Sequence, residues 1–337
     1  MANLSVNYMG LELKNPIIVG ASTLTADGEM ASRMEEAGAA AIVFKSLFEE
    51  QIQMESAIMA DELQEYCDRN AEMTTIFPSL EHAGPKEHLL QLKQVKDSVS
   101  IPVIASLNCL YDVSWYDYAQ QLEQVGVDAL ELNFYHLPTT NERSAAEIEN
   151  GKVMILENLR QRIAIPISVK LSPYYTNLIH FIHRLNQAGA DAFVLFNRLF
   201  QPMISTTKEK HVPRFNLSNP GDYRIALRFI GLLYHNIGAN LCGSNGVYSA
   251  KDVIQMLLSG AQVVQMVSAI YKNKPGHIGI VLGDLEHWMD QKGYETIAHI
   301  RGKLSDWEMK NSDTYHRAQY LDYVLKPTEI MNKYPMR

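Results

Sequence analysis

Three features of this 337-residue sequence predict an α/β chain folded as a (β/α)8 barrel. A helix end, a glycine and an unbroken apolar run recur together four times. Further apolar runs start at prolines. Such runs alternate with amphipathic helical segments about eight times between residues 15 and 269. The recurring unit reads EEAGAAAIVF (35–44), EQVGVDALEL (123–132), NQAGADAFVL (186–195) and LLSGAQVVQM (257–266). Glycine just beyond a helix tolerates the left-handed conformation that stops it. An apolar run without alternation is covered on both faces, as in a parallel sheet. Eight such strands joined by right-handed crossovers predict closure into a barrel. A doubly wound open sheet has the same alternation and is the alternative.

In chain order the strands are NPIIVGAS, AIVF, IPVIASLN, DALELN, IPISVKLS, DAFVLF, ANLCGSNG and AQVVQM. Three segments fall outside the alternation. Residues 49–100 read as a partly helical insertion after the second strand, and residues 200–213 as an excursion after the sixth. Insertions after strands lie on the C-terminal face of a barrel, where active sites are built. The charged, aromatic residues 303–337 read as a C-terminal extension packed on the barrel (1–302) or on a partner.

Composition narrows the function class. Hydrophobic residues at 47% supply a sizeable core and exclude a disordered chain. The apolar runs are strand-length, so no membrane span is expected, and the N-terminus carries no signal-peptide pattern. A net charge of -8 argues against nucleic acid as partner. Cys67, Cys109 and Cys242 are too scattered for a disulfide framework or metal knuckle, which fits a reducing cytoplasm.

Polar residues at barrel strand ends are the functional candidates. Here they are Ser22, Lys45, Ser46, Asn108, Asn133, Lys170, Asn197, Ser244, Asn245 and Ser268. Any one of them alone is an ordinary cap or turn residue. Two lysines emerging from apolar runs (IVFK, ISVK) beside three asparagines suit an electron-rich, hydrogen-bonding heterocycle. The last two strands, ending in CGSNG and VSA, stand where barrels bind phosphate. FMN combines such a ring with a phosphate. Phosphosugars offer the same two features, so the residues alone leave both ligands open.

The sequence resembles the dihydroorotate dehydrogenase family, FMN-dependent barrels of pyrimidine biosynthesis, as far as about Gly302. The resemblance is carried by KNPIIVGAS, VFKS, EQVGVDALELN, SVKLSPYY, LFN, LSNPGDYRIALR, GSNGVYSAKDVIQMLLSGAQVVQMVSA and KGYETIAHIRGKL. It implies an oxidoreductase moving hydride between a dihydropyrimidine-type substrate and flavin. It assigns Ala21, Ser22, Lys45 and Ser46 to the surroundings of flavin and substrate, Asn133 and Asn197 to the pyrimidine, and Lys170 to the flavin. Asn108 joins the cofactor set as a strand-end asparagine. Gly243, Ser244 and Gly246, with Ser268 and Ala269, match two phosphate-binding turns. The absence of an N-terminal helical extension aligns the chain with the soluble branch. A homodimer and an electron-transfer partner are both compatible with that branch.

The chain departs from the family where its proton acceptor belongs. The family places cysteine or serine there, ahead of proline and asparagine. Here ELNFYHLPTT runs Phe134, Tyr135, His136, Leu137, Pro138, Thr139. Counting from Asn133 puts His136 at the position; aligning on Pro138 puts Leu137 there. Tyr135 is a third candidate, and a loop histidine bonded to backbone is the plain alternative. A further family asparagine is missing from TTIFPSLEHAGP. Family glycines are replaced by Asn219, Asn245 and Val267. Asparagine tolerates positive φ, whereas a β-branched residue resists it and crowds a phosphate. The alternative function is a paralogue that has lost the reaction and serves as a ligand-binding or redox-complex subunit.

Overall fold

The computed structural model describes residues 2–52, 85–212, 217–309, 314–325 and 327–333. Most of the 49–100 insertion, Cys67 and nearly all of TTIFPSLEHAGP lie outside the described residues. A hairpin of β1 (Val6–Tyr8) and β2 (Leu11–Leu13) precedes the barrel. Barrel strands β3 (Ile17–Val19) and β4 (Ala41–Val43) follow, with β5 (Leu47–Phe48) as a continuation of β4. Next come β6 (Val103–Asn108), β7 (Ala129–Asn133), β8 (Ile167–Leu171) and β9 (Ala192–Leu195). A small hairpin, β10 (Ile204–Ser205) and β11 (Lys210–His211), stands in the excursion after β9. The last two barrel strands are β12 (Asn240–Gly243) and β13 (Val263–Met266).

The parallel order β4-β3-β13-β12-β9-β8-β7-β6 is closed by pairing of β4 with β6, so the sheet is a barrel and not an open layer. The glycines of the repeated unit explain its sharp turns. Gly38, Gly126, Gly189 and Gly260 all adopt φ between 89° and 128°, each between a helix and the strand that follows. No helix among the described residues is long and apolar enough to cross a membrane.

Two apolar layers follow from strand alternation. Ile17, Val19, Ile42, Val103 and Leu130 point outward against the helices. Ile18, Ala41, Val43, Ile104, Ala129, Ala192, Val194, Cys242 and Val263 point inward, where Tyr8 and Leu13 of the first hairpin close the floor. Two residues further along the same strands, the inward positions turn polar: Ser106, Glu131 and Gln265 are all buried. The barrel is thus dry at its floor and polar towards its mouth.

β4 and β5 meet β6 in different registers. Val43 pairs with Ile104 and Leu47 with Leu107, so Phe44, Lys45 and Ser46 stand against only Ala105 and Ser106. This is a bulge, and it re-aims the side chains it contains. Beyond the barrel, Tyr315 is buried. Its hydroxyl donates to the Leu304 carbonyl (2.5 Å), and its own carbonyl accepts from Arg228 Nη1 (2.7 Å). The second of these bonds fastens the start of the C-terminal segment to the helix Arg224–Leu233.

Candidate active site

Three side chains from three strands meet in the polar part of the barrel. Lys170 Nζ donates to Gln265 Oε1 at 2.9 Å and to Glu131 Oε1 at 3.3 Å, and Gln265 Nε2 donates to Glu131 Oε2 at 2.6 Å. The chemistry fixes the direction of every bond. Ammonium only donates and carboxylate only accepts, so the amide must turn its oxygen to lysine and its nitrogen to glutamate. Exposure is 1% for Glu131, 2% for Gln265 and 7% for Lys170. Lysine and glutamate so deeply buried require each other. An ammonium has three N–H donors, and the residue opens onto a cavity on its remaining side.

That cavity, of about 180 Å³, brings Lys170 together with Ala21, Asn197, Ser244, Gly246 and Ser268 among the residues assigned from sequence. The turn after β12 holds Asn245 at φ 75° and Gly246 at φ 86°. A Cβ on Gly246 would stand 2.6 Å from the Asn219 carbonyl oxygen and 2.9 Å from Asp222, so only glycine fits. Ala269 is fully buried in the short helix Ser268–Asn273, and Gly243 ends β12 against Met256. The amides of Ser268 and Ala269 open their helix and have no helical acceptor. The Ser268 hydroxyl accepts from Ser218 N at 2.9 Å.

The glycine replacements fare differently. Asn245 adopts the positive φ expected of it, whereas Asn219 is not among the positive-φ residues. Val267 lies at φ -134°, so it does not adopt the positive φ that a β-branched residue resists. Its side chain instead covers Gly20, where an added Cβ would meet Val267 Cγ2 at 2.7 Å. Crowding, and not backbone conformation, is what valine brings to this wall.

The asparagines form a connected rim. Asn108 Nδ2 donates to the Asn133 carbonyl (2.9 Å), and Asn197 Nδ2 donates to Asn133 Oδ1 (2.6 Å). Asn197 Oδ1 accepts from Arg198 N (2.9 Å). Arg198, missed in the sequence, ion-pairs with Asp222 at 2.6 Å and lies 3.4 Å from Asn245 Oδ1. It lines both the Lys170 cavity and a neighbouring one of about 330 Å³, as do Phe196, Asn197, Ser244 and Asn245.

Other assigned residues do not line these cavities. Ser22 sits at the mouth of β3, its N–H donating to Thr25 Oγ1 (3.3 Å). Lys45 and Ser46 occupy the bulge. Ser46 bonds the Ser106 hydroxyl at 2.6 Å, and Lys45 lies near enough to His88 for its charge to act there. Lys170 lines the cavity of about 180 Å³, and Lys45 lines neither of these two cavities.

The loop after β7 is held from both ends. Phe134 is buried edge-on against Trp115, with Lys152 Nζ 4.8 Å from its ring centre. Tyr135 N donates to the Asn133 carbonyl (2.7 Å), and the Tyr135 hydroxyl accepts from Phe200 N (3.0 Å). His136 and Leu137 line a larger, mainly apolar cavity of about 450 Å³ with Ser172, Tyr174 and Tyr175. Phe200 lines both this cavity and that of Lys170. His136 is exposed on this loop, and partial desolvation, reinforced by Lys152 and Arg143, lowers its pKa below the usual 6.5. Its imidazole is therefore neutral and able to accept a proton at pH 7.

A closed parallel barrel with a buried lysine below its mouth and a tight glycine turn after its seventh strand has the architecture of a (β/α)8 barrel, in which sites are built at the strand ends. The chain belongs to the dihydroorotate dehydrogenase family, whose model matches residues 3–289. It is similar to proteins named dihydroorotate dehydrogenase B (NAD(+)), catalytic subunit. That of Thermoplasma volcanium is 26% identical, with 90% of this chain and 98% of the relative covered. That of Methanosarcina acetivorans is 29% identical over 88% and 94%, and that of Shouchella clausii 24% over 90% and 98%.

Proposed function

We propose that this chain is an FMN-dependent oxidoreductase that moves hydride between flavin and a dihydropyrimidine-type substrate, dihydroorotate being the family's own. Membership of the dihydroorotate dehydrogenase family makes it an oxidoreductase acting on CH–CH bonds. The observation that carries the cofactor is one cavity with Lys170 on one side and Ser244, Gly246 and Ser268 on another. These residues fit FMN in kind. A glycine that no Cβ can replace and helix-opening amides with no helical acceptor suit a phosphate. A lysine suits a ring edge that gains negative charge.

Bound there, FMN would supply the hydride acceptor. The chain's own residues would do the rest. The amides near Gly246, Ser268 and Ala269 hold the phosphate. The Lys170 ammonium offers its third N–H to the ring. Asn133 and Asn197, already bonded to each other, present amides to the substrate. His136 takes the substrate proton, because its imidazole is neutral and Phe200 lines both its cavity and that of Lys170. Ala21 and Asn197 line the cavity; Ser22, Lys45, Ser46, Asn108, Asn133, Gly243 and Ala269 enter this reading through the family resemblance and not as cavity walls.

The relatives' name points to NAD as electron acceptor and to a further subunit beside the catalytic one. Three cysteines are too few to bind a four-cysteine iron–sulfur cluster, so in our reading electrons leave through a separate partner. Cys109 and Cys242 are buried free thiols, which accords with work in a reducing cytoplasm. The test is an FMN titration of the purified chain followed by desalting and an absorbance spectrum. Retained flavin bands that bleach when dihydroorotate is added without oxygen support the proposal. A chain that stays colourless after FMN overturns it.

A further inference from the structure

The geometry points to Glu131 and Gln265 as positioning residues that fix Lys170 and set the reduction potential of the cofactor it faces. The inference rests on the FMN reading above. Lys170 cannot choose its own position. Two of its donors are bound, one to an amide and one to a carboxylate, and these partners are bonded to each other at 2.6 Å. Strands β7, β8 and β13 each supply one member of the ring, so the ammonium is held from both sides of the barrel. Solvent does not loosen it, since no member is more than 7% exposed.

The two partners act on the cofactor in opposite senses. Gln265 carries no charge and only holds the ammonium in place. Glu131 carries a negative charge that offsets the ammonium as felt in the cavity. Taking up two electrons and one proton leaves FMN with one additional negative charge, which a nearby cation stabilises. Removing the Glu131 charge therefore unmasks Lys170 and favours the reduced cofactor. Removing Gln265 frees Lys170 to move away and disfavours it. Low local polarity makes both effects larger than they would be in water.

The experiment compares FMN-loaded wild type, Glu131→Gln, Glu131→Asp, Gln265→Leu and Lys170→Met. Reduction potentials are measured by equilibration with reference dyes without oxygen at pH 7. The expected order places Glu131→Gln above wild type, Glu131→Asp close to wild type, and Gln265→Leu and Lys170→Met below it. General loosening of the site would move the first and third variants in the same direction. A Glu131→Gln potential equal to or below wild type overturns the inference. If that variant does not fold, an unchanged potential in Gln265→Leu overturns it equally. A wild-type chain that holds no FMN overturns the cofactor reading and this inference together, whereas loaded variants with equal potentials overturn this inference alone.

Discussion

Lys170→Met is expected to destabilise the FMN-free protein strongly, although methionine fills much the same space. The substitution deletes two hydrogen bonds, to Glu131 and Gln265, and leaves a carboxylate 1% exposed with one donor, Gln265 Nε2. Breaking a buried pair by removing one partner costs about 3–5 kcal/mol, mainly through the uncompensated charge. Glu131→Leu should cost a similar amount, because it strands the ammonium. The double variant removes both charges and replaces them with apolar volume, which is often nearly neutral. Its destabilisation should therefore fall well below the sum of the two single ones. The assay is urea unfolding followed by far-UV circular dichroism, with all proteins stripped of flavin. Flavin must be absent because a bound ligand adds its own stabilisation. A Lys170→Met variant within about 0.5 kcal/mol of wild type, or a double variant equal to the sum, would refute a coupled buried pair.

Four further outcomes follow from single positions. Gly246→Ala forces a Cβ towards the Asn219 carbonyl at φ 86°, and should destabilise by about 1–3 kcal/mol while weakening FMN binding; an unchanged melting temperature and affinity would contradict it. Val267→Gly should tighten FMN binding in a titration by clearing the wall over Gly20, and equal or weaker binding would show that valine is no obstacle. Burial first, and the Lys45 charge second, push the His88 pKa from 6.5 down to about 4, so the folded state resists its protonation. That contribution is complete above pH 6.5 and is lost as pH falls towards 4, up to about 3 kcal/mol, so His88→Leu should show a flatter acid limb in stability against pH than wild type. Parallel limbs would rule this out. His136→Ala should slow substrate-driven flavin reduction by roughly 10²–10⁴-fold with flavin binding intact, and Tyr135→Phe should not; a wild-type rate in the histidine variant removes it from catalysis.

The fold was legible because closure follows from local rules. Each repeated glycine terminates a helix at positive φ, and each apolar run after it is covered on both faces, so strand count and crossover hand left few arrangements. The β4–β5 bulge was not legible. IVFKSLF is uniformly strand-like, and one extra residue in it reveals itself only through pairing with β6. Lys45 stands inside that bulge, outside the paired register, whereas Lys170 is paired with Asn133 and Val194 on its two sides, so two lysines that look equivalent in IVFK and ISVK sit in different backbone settings.

The site was read from the strand ends, and its electrostatic centre lies one step below them. Glu131 and Gln265 were passed over because they sit within apolar runs, DALELN and VVQM, where a polar residue reads as a minor interruption. Period-two counting recovers both. Glu131 is two residues before Asn133 and Gln265 two before Val267, hence on the same inward face, and a lone carboxylate on an inward face requires a cation. Lys170 on the adjacent strand is that cation, since Glu131 pairs with Ser168 and Asn133 with Lys170 across β7 and β8. Arg198 left no such signal. Its partner Asp222 is 24 residues away on a turn, and only the folded backbone brings them to 2.6 Å. Strand-borne charges can thus be paired from sequence by register, whereas loop-borne charges cannot. In this barrel that divides the Lys170 ammonium, which lines one cavity, from the Arg198 guanidinium, which lines two.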